Sequence, residues 1–287
     1  MKQRSKKKRR FQCGIGLLIL LCTVGCKTQK EPAPTALPLE PTTAVTAVPE
    51  LPEQTAEEEE LLRIIEGMTL EEKVGQMFLV RCPEEAEEAI RDYHIGGYVL
   101  FAKDFAGETG ESVRETIALY QETSKIPLLI SVDEEGGTVV RISKYPAFRE
   151  RVFLSPRELY SEGGIERIAE DTKEKAELLL SLGINVNLAP VCDISRKKNA
   201  FLYERSFGGT AKETAEYVKT VVETANEAGL GSVLKHFPGY GDNGDTHEGI
   251  VYDTRPYETY TENDFKPFSA GLEAGAGAVM VSHNIVQ

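Results

Sequence analysis

Cysteine is scarce in this chain, with five in 287 residues, and three of those (Cys13, Cys22 and Cys26) fall within the first 26 positions. The two left in the body, Cys82 and Cys192, have a spacing that matches no zinc site. Two isolated thiols near strand ends read as buried packing residues, with a mutual disulfide as the alternative in an oxidising compartment. Long apolar runs are also missing: the stretch from Phe11 to Gly25 falls short of the roughly 20 residues that a membrane-spanning helix needs. No glycine-rich nucleotide loop follows the first strand-like run, which argues against a dinucleotide-binding sheet. Positive charge is concentrated at one end. The formal net charge is −13, yet the first ten residues carry Lys2, Arg4, Lys6, Lys7, Lys8, Arg9 and Arg10 and no acid. The rest is therefore more acidic than the total, a surface that avoids nucleic acid and anionic lipid.

What is present is ordinary for a globular protein with a real core, 41% apolar and 28% charged residues. The basic cluster followed by the short apolar run has the form of a signal peptide. Its end, Cys22-Thr23-Val24-Gly25-Cys26, resembles the bacterial lipoprotein cleavage site, where the last cysteine becomes the lipid-bearing N-terminus. Thr23 departs from the Leu, Val or Ile usual at its position. Cleavage without lipid and an uncleaved anchor are the alternatives. The expectation is a lipoprotein-type signal peptide over residues 1–26, lipid on Cys26, and an extracytoplasmic protein held at the cell membrane. Residues 27–56 hold Pro32, Pro34, Pro38, Pro41, Pro49 and Pro52 among Thr, Ala and Glu, a composition that builds no core and favours extended chain. They read as a tether, and residues 57–287 as the folded domain.

The folded domain alternates. Short continuous apolar runs at Met77–Val80, Gly97–Phe101, Leu128–Val132, Val186–Leu188, Ser232–Lys235 and Val279–Ser282 predict strands buried on both faces. Amphipathic helices are predicted at Glu57–Glu66, Glu84–Tyr93, Glu111–Thr123, Ile165–Leu182, Ala211–Ala228 and Asp264–Ala274, with a capping box at Thr69 and Glu72 opening one more. A doubly wound sheet and an incomplete TIM (β/α)8-type barrel both suit six such units. The barrel is favoured because polar residues stand at the C-terminal ends of nearly every strand: Arg81, Lys103, Asp133, Asp193, Lys235-His236 and His283.

Three clusters carry polar chemistry. The segment Lys235 to His247 packs three glycines and a proline into a strand-end loop, with Asp245 two residues before His247. A carboxylate beside an imidazole fixes its tautomer and raises its basicity, as a proton-transfer group near neutral pH requires. Lys235 and His236 leave the strand in opposite directions, so both reach the barrel mouth only if the strand bends. Asp133-Glu134-Glu135 places three acids at a strand end, which repel unless a ligand, cation or arginine such as Arg141 shares the charge. The third cluster, Tyr203 to Gly208, offers Arg205 to a polar ligand or to Glu204 or Asp193. Each also reads as an ordinary solvated loop.

Their order is more specific than any one of them. The segments Met68–Met77, Gly96–Phe101, Asp133–Gly137, Asn187–Val191, Glu204–Gly208, Lys235–Gly239 and Asp245–His247 together resemble the family 3 glycoside hydrolases, in particular the bacterial β-N-acetylhexosaminidase branch, from Glu57 to the end. The resemblance implies a sugar subsite lined by Asp133, Arg141, Arg205, Lys235 and His236. It implies His247 as general acid/base, oriented by Asp245, in a retaining reaction on terminal β-linked N-acetylglucosamine of peptidoglycan fragments or chitin oligosaccharides. No cofactor or metal is implied, and a monomer is expected. The sequence departs from the family's Lys-His-Phe-Pro-Gly-His-Gly at Tyr240, which replaces the second histidine, with consequences for loop packing or an aglycone contact. The family's aspartate nucleophile follows the seventh barrel strand and is expected beyond Gln287, so residues 1–287 alone are expected to be inactive. A lipid-anchored glycan-binding protein, a family 3 β-glucosidase or phosphorylase, and a metal-dependent barrel hydrolase are the other readings.

Overall fold

The computed structural model describes residues 55–287. The signal peptide, Cys26 and all but the last two residues of the tether lie outside the described residues. Helices α1 (Ala56–Gly67) and α2 (Leu70–Gln76) each open on a capping box. In α2 the Glu72 amide donates to Thr69 Oγ1 at 3.2 Å, and the Thr69 amide returns a bond to the Glu72 carboxylate at 2.9 Å. Strand β1 (Leu79–Arg81), α3 (Ala86–Tyr93), β2 (Gly97–Leu100), α4 (Gly110–Thr123), β3 (Leu129–Val132), α5 (Pro156–Ser181), β4 (Val186–Asn187), α6 (Ala211–Ala228) and β5 (Gly231–Phe237) then alternate. After β5 come β6 (Tyr252–Asp253), a helical turn α7 (Tyr257–Thr259), a π-helical turn (Tyr260–Asp264), α8 (Phe265–Glu273), β7 (Ala278–Val281) and β8 (Ile285–Val286).

The main sheet runs β1-β2-β3-β4-β5-β7, parallel throughout, with Val80 opposite Tyr98 and Tyr98 opposite Ile130. Every strand lies beside its predecessor in this sheet. A doubly wound sheet reverses direction at a switch point, whereas strands added always on one side, with helices outside, curl into a barrel wall. The strand order thus decides between the two architectures the sequence allowed: this is an incomplete TIM-type α/β barrel with six strands in its wall. Tyr98, Ile130 and Val132 on the strands are fully buried against Ile90, Ile117 and Leu179 of the helices. A second cluster joins Leu234 of β5 to Val218 and Val222 of α6 and Phe268 of α8. Cys82 and Cys192 are buried, unpaired, and belong to different clusters.

Most element ends shift by one or two residues from the periodicity, and three departures have a physical reason or consequence. Met77, expected in β1, caps α2 and is 82% exposed, so the strand starts at Leu79. Helix α5 starts at Pro156, well before Ile165, behind a Ser155–Glu158 capping box, and is interrupted at Gly163 and Gly164. That break had hidden its first two turns. The two-residue strands β6 and β8 pair across the rim, and no local pattern announced them.

Candidate active site

Alternation along β3 separates the three acids that the sequence placed together. Side chains two residues apart share a face, so Asp133 and Glu135 turn toward the barrel axis and Glu134 turns away. Glu134 is fully buried and accepts from the amides of Arg141 (2.8 Å), Ile142 (2.9 Å) and Ser143 (3.2 Å), and from Ser143 Oγ (2.5 Å). It folds the loop on which Arg141 stands.

The inward pair meets Lys235. Its ammonium lies 2.6 Å from Asp133 Oδ1 and 2.5 Å from Glu135 Oε1, with the residue 1% exposed, which engages two of its three donors. Arg205 grips Glu135 with two parallel bonds, Nε to Oε2 at 2.9 Å and Nη2 to Oε1 at 2.6 Å. Burial alone would raise the Glu135 carboxyl, but the Lys235 charge and then Arg205 overrule it and hold it at about 2. The same pairing raises Arg205 against the opposing effect of burial. Arg141 approaches Asp133 at 3.6 Å. Asp133, Arg141, Arg205 and His236 keep part of their side chains open to the mouth, while Glu135 and Lys235 form the layer beneath them.

Lys235 and His236 both serve the site because β5 bulges. Lys235 pairs with Met280 and Phe237 with Val281, so β5 has one residue more than its partner there, and the intervening Lys235–His236 peptide is cis. His236 Nδ1 lies 2.7 Å from Asp193 Oδ2, and Arg205 Nη2 lies 3.4 Å from its Nε2. An arginine can only donate, so this long contact favours the proton on Nδ1 and the Asp193 carboxylate as its acceptor.

Above this floor stands the 241–250 loop. Asp242 is anchored by Ser195 Oγ (3.2 Å) and the amides of Arg196 (2.8 Å) and Lys197 (3.0 Å). Asp245 Oδ1 receives the His247 amide at 2.8 Å and lies 2.6 Å from His247 Nδ1, leaving Nε2 without a hydrogen-bond partner among the described residues. Partial burial pushes Asp245 up, but the amide and ring of His247 outweigh it and its carboxyl falls below the usual range. The His247 side chain is 78% exposed. Its ring centre is 6.2 Å from that of Phe201, and the Arg205 guanidinium sits 5.3 Å from the same Phe201 ring. His247 and Arg205 therefore share one aromatic neighbour.

All seven residues singled out in the sequence, Asp133, Arg141, Arg205, Lys235, His236, Asp245 and His247, are on this face of the barrel. Four more that had not been read as site residues join them: Glu135, Asp193, Phe201 and Tyr240. The first two carried a signal, Glu135 through its alternation with Asp133 and Asp193 as a strand-end acid. Of the aromatics, Tyr240 was marked only as a departure from the family's motif, and Phe201 carried no signal, because its place depends on loops far apart in the chain.

Residues 69–287 match the model of the glycosyl hydrolase family 3 N-terminal domain. A beta-hexosaminidase of Xylella fastidiosa (strain M12) is 34% identical over 199 residues, covering 68% of this chain and 58% of its own length. The chain thus spans less than two thirds of the curated relatives it matches. Among solved structures, a family 3 beta-N-acetylglucosaminidase from Paenibacillus sp. superposes with a TM-score of 0.69 at 29% identity, covering 76% of this chain and 43% of that one. NagZ from Neisseria gonorrhoeae, in complex with N-trifluoroacetyl-D-glucosamine, gives a TM-score of 0.64 at 25% identity, covering 72% of this chain and 64% of that one.

Proposed function

The chain belongs to glycosyl hydrolase family 3, and from that premise we propose that the whole protein is a retaining β-N-acetylhexosaminidase that removes terminal N-acetylglucosamine from peptidoglycan fragments or chitin oligosaccharides. The observation that carries this reading is the Asp245–His247 pair at 2.6 Å beside a floor of paired charges. Asp133, Arg141, Arg205 and His236 present alternating acceptors and donors, a pattern that suits vicinal sugar hydroxyls. Lys235 and Glu135 hold that pattern rigid from beneath. Asp245 keeps the proton of His247 on Nδ1 in the resting ring, and Nε2 is the atom available to exchange a proton with the glycosidic oxygen. In its imidazolium form His247 gives its Nε2 proton to the departing oxygen in the first half-reaction, which leaves the neutral ring with its proton on Nδ1 facing Asp245. A carboxylate nucleophile of the whole protein takes the sugar, and the neutral His247 ring then accepts a proton from the attacking water. The leader sequence supports export and a lipid anchor on Cys26, with the proline-rich tether setting the domain above the membrane. Loss of metabolic fatty-acid labelling in Cys26→Ala would support the anchor.

The test uses the full-length protein with the 4-nitrophenyl and 2,4-dinitrophenyl N-acetyl-β-glucosaminides. His247→Ala lowers kcat/KM for the 4-nitrophenyl substrate by roughly two to four orders of magnitude. The dinitrophenyl substrate, whose leaving group needs no proton, falls far less. Equal losses, or none, would remove His247 from this role.

A further inference from the structure

Tyr240, the position at which the strand-end loop departs from the family's motif, is 2% exposed, and all of its polar groups are engaged. Its amide donates to Asp193 Oδ1 at 2.7 Å, on the carboxylate that also holds His236. Its ring stands edge-on to the His236 ring at 5.4 Å and lies 5.9 Å from that of Phe201. Its hydroxyl shares a 2.5 Å hydrogen bond with Thr246 Oγ1, and Thr246 stands between Asp245 and His247. Beyond its anchor at Asp242 the loop has little else to hold it. Among the described residues, segment 243–250 is hydrogen-bonded from outside itself at two points, and both are Tyr240: its carbonyl accepts from the Asn243 amide at 3.2 Å and its hydroxyl meets Thr246.

We infer that Tyr240 is a positioning residue for proton transfer. It couples the Asp193–His236 pair in the floor to the Asp245–His247 pair on the loop, and it keeps His247 over the sugar pocket when the leaving oxygen is protonated. The inference rests on the acid/base reading of His247. A buried phenol needs a hydrogen-bond partner, and withdrawal of the loop takes its partner away. One net hydrogen bond of this kind biases the loop toward its docked position by about five- to tenfold.

Two variants test the bond from its two ends: Tyr240→Phe keeps the ring, and Thr246→Val keeps the side-chain volume. In the full-length protein each lowers kcat/KM for the 4-nitrophenyl substrate about five- to tenfold. The double variant is no worse than either single one, because both remove the same bond. The 2,4-dinitrophenyl substrate changes by less than about twofold, and inhibition by free N-acetylglucosamine, which reads the sugar floor alone, is unchanged. A merely structural role would lower both substrates together and weaken the inhibitor; that result, additive losses, or no loss from either single variant overturns the inference. His247→Ala measured alongside separates the two levels. If it shows the leaving-group signature and Tyr240→Phe does not, only the role of Tyr240 fails. If His247→Ala shows none, the acid/base reading falls and this inference falls with it.

Discussion

Glu135 is buried between Lys235 and Arg205, and its carboxyl is held at about 2 against an ordinary 4.5. A depressed carboxyl contributes stability above its unfolded-state pKa and loses it as pH falls through the folded value. The contribution is thus full near neutrality and fades between about 4.5 and 2. Glu135→Gln is expected to cost about 3 to 5 kcal/mol at pH 7, since it leaves two buried cations short of a partner. The gap to the parent protein should narrow steadily below pH 4.5 and nearly close by pH 2. Urea unfolding followed by circular dichroism across that range checks it, and a gap independent of pH would refute the assignment. Glu134, one residue earlier, has another task in the loop amides. That division of labour was open to a reader of the sequence, since side chains of neighbouring strand residues point opposite ways.

At the scale of elements, the rim is fixed by arginines that reach across loops. Arg157, in the first turn of α5, donates to the carbonyls of Tyr203, Ser206 and Ser195 and to Ser206 Oγ, each at 3.1 Å. This hangs the segment carrying Arg205 from a helix that begins in the stretch periodicity missed. Arg255 similarly bridges Asp253, Asp264 and the Gly239 carbonyl, tying β6 and the π-helical turn to the loop after β5. Gly208 and Gly229 make a controlled comparison, with φ of 86° and 87°. A Cβ on Gly208 would lie 2.2 Å from the Arg157 guanidinium carbon, whereas one on Gly229 meets nothing within 4 Å. Gly229→Ala should therefore cost only the left-handed backbone, about 1 kcal/mol. Gly208→Ala should cost about 2 kcal/mol or more, because Arg157 must also move. Chemical denaturation of the pair measures the difference, and equal losses would show that Arg157 moves aside freely.

At the scale of the whole described domain, the informative feature is the pair of edges that its sheet leaves unpaired. Among the described residues β1 pairs only with β2 and β7 only with β5. Apolar side chains stand exposed beside both edges: Leu70, Met77 and Phe78 at one, Val281, Ile285 and Val286 at the other. Unpaired parallel edges flanked by exposed apolar groups invite pairing with another chain. A polypeptide of residues 55–287 is therefore expected to self-associate in a concentration-dependent manner and to bind a hydrophobic dye. Val281→Lys on the β7 edge should reduce both by placing a charge there. Light scattering across a dilution series decides it; a monomer at all concentrations, unchanged by the substitution, would contradict the expectation.

The sequence by itself determined the alternating units, the helix cap at Thr69, and the residues from which the site is made, because each is a local matter of period, capping chemistry or motif. It favoured the barrel over the doubly wound sheet through the polar residues at the strand ends, but a crossover length does not say on which side the next strand is added. Only the tertiary structure decided that, and only it joined Lys235 to Asp133 across 102 residues and Arg205 to Glu135 across 70. It also decided that His236 turns inward beside Lys235, through a bulge against β7, and that Tyr240 meets Thr246. The long-range pairs depend on how distant elements meet over the curled sheet, and even Tyr240 and Thr246, six residues apart, meet only because of how their loop folds back.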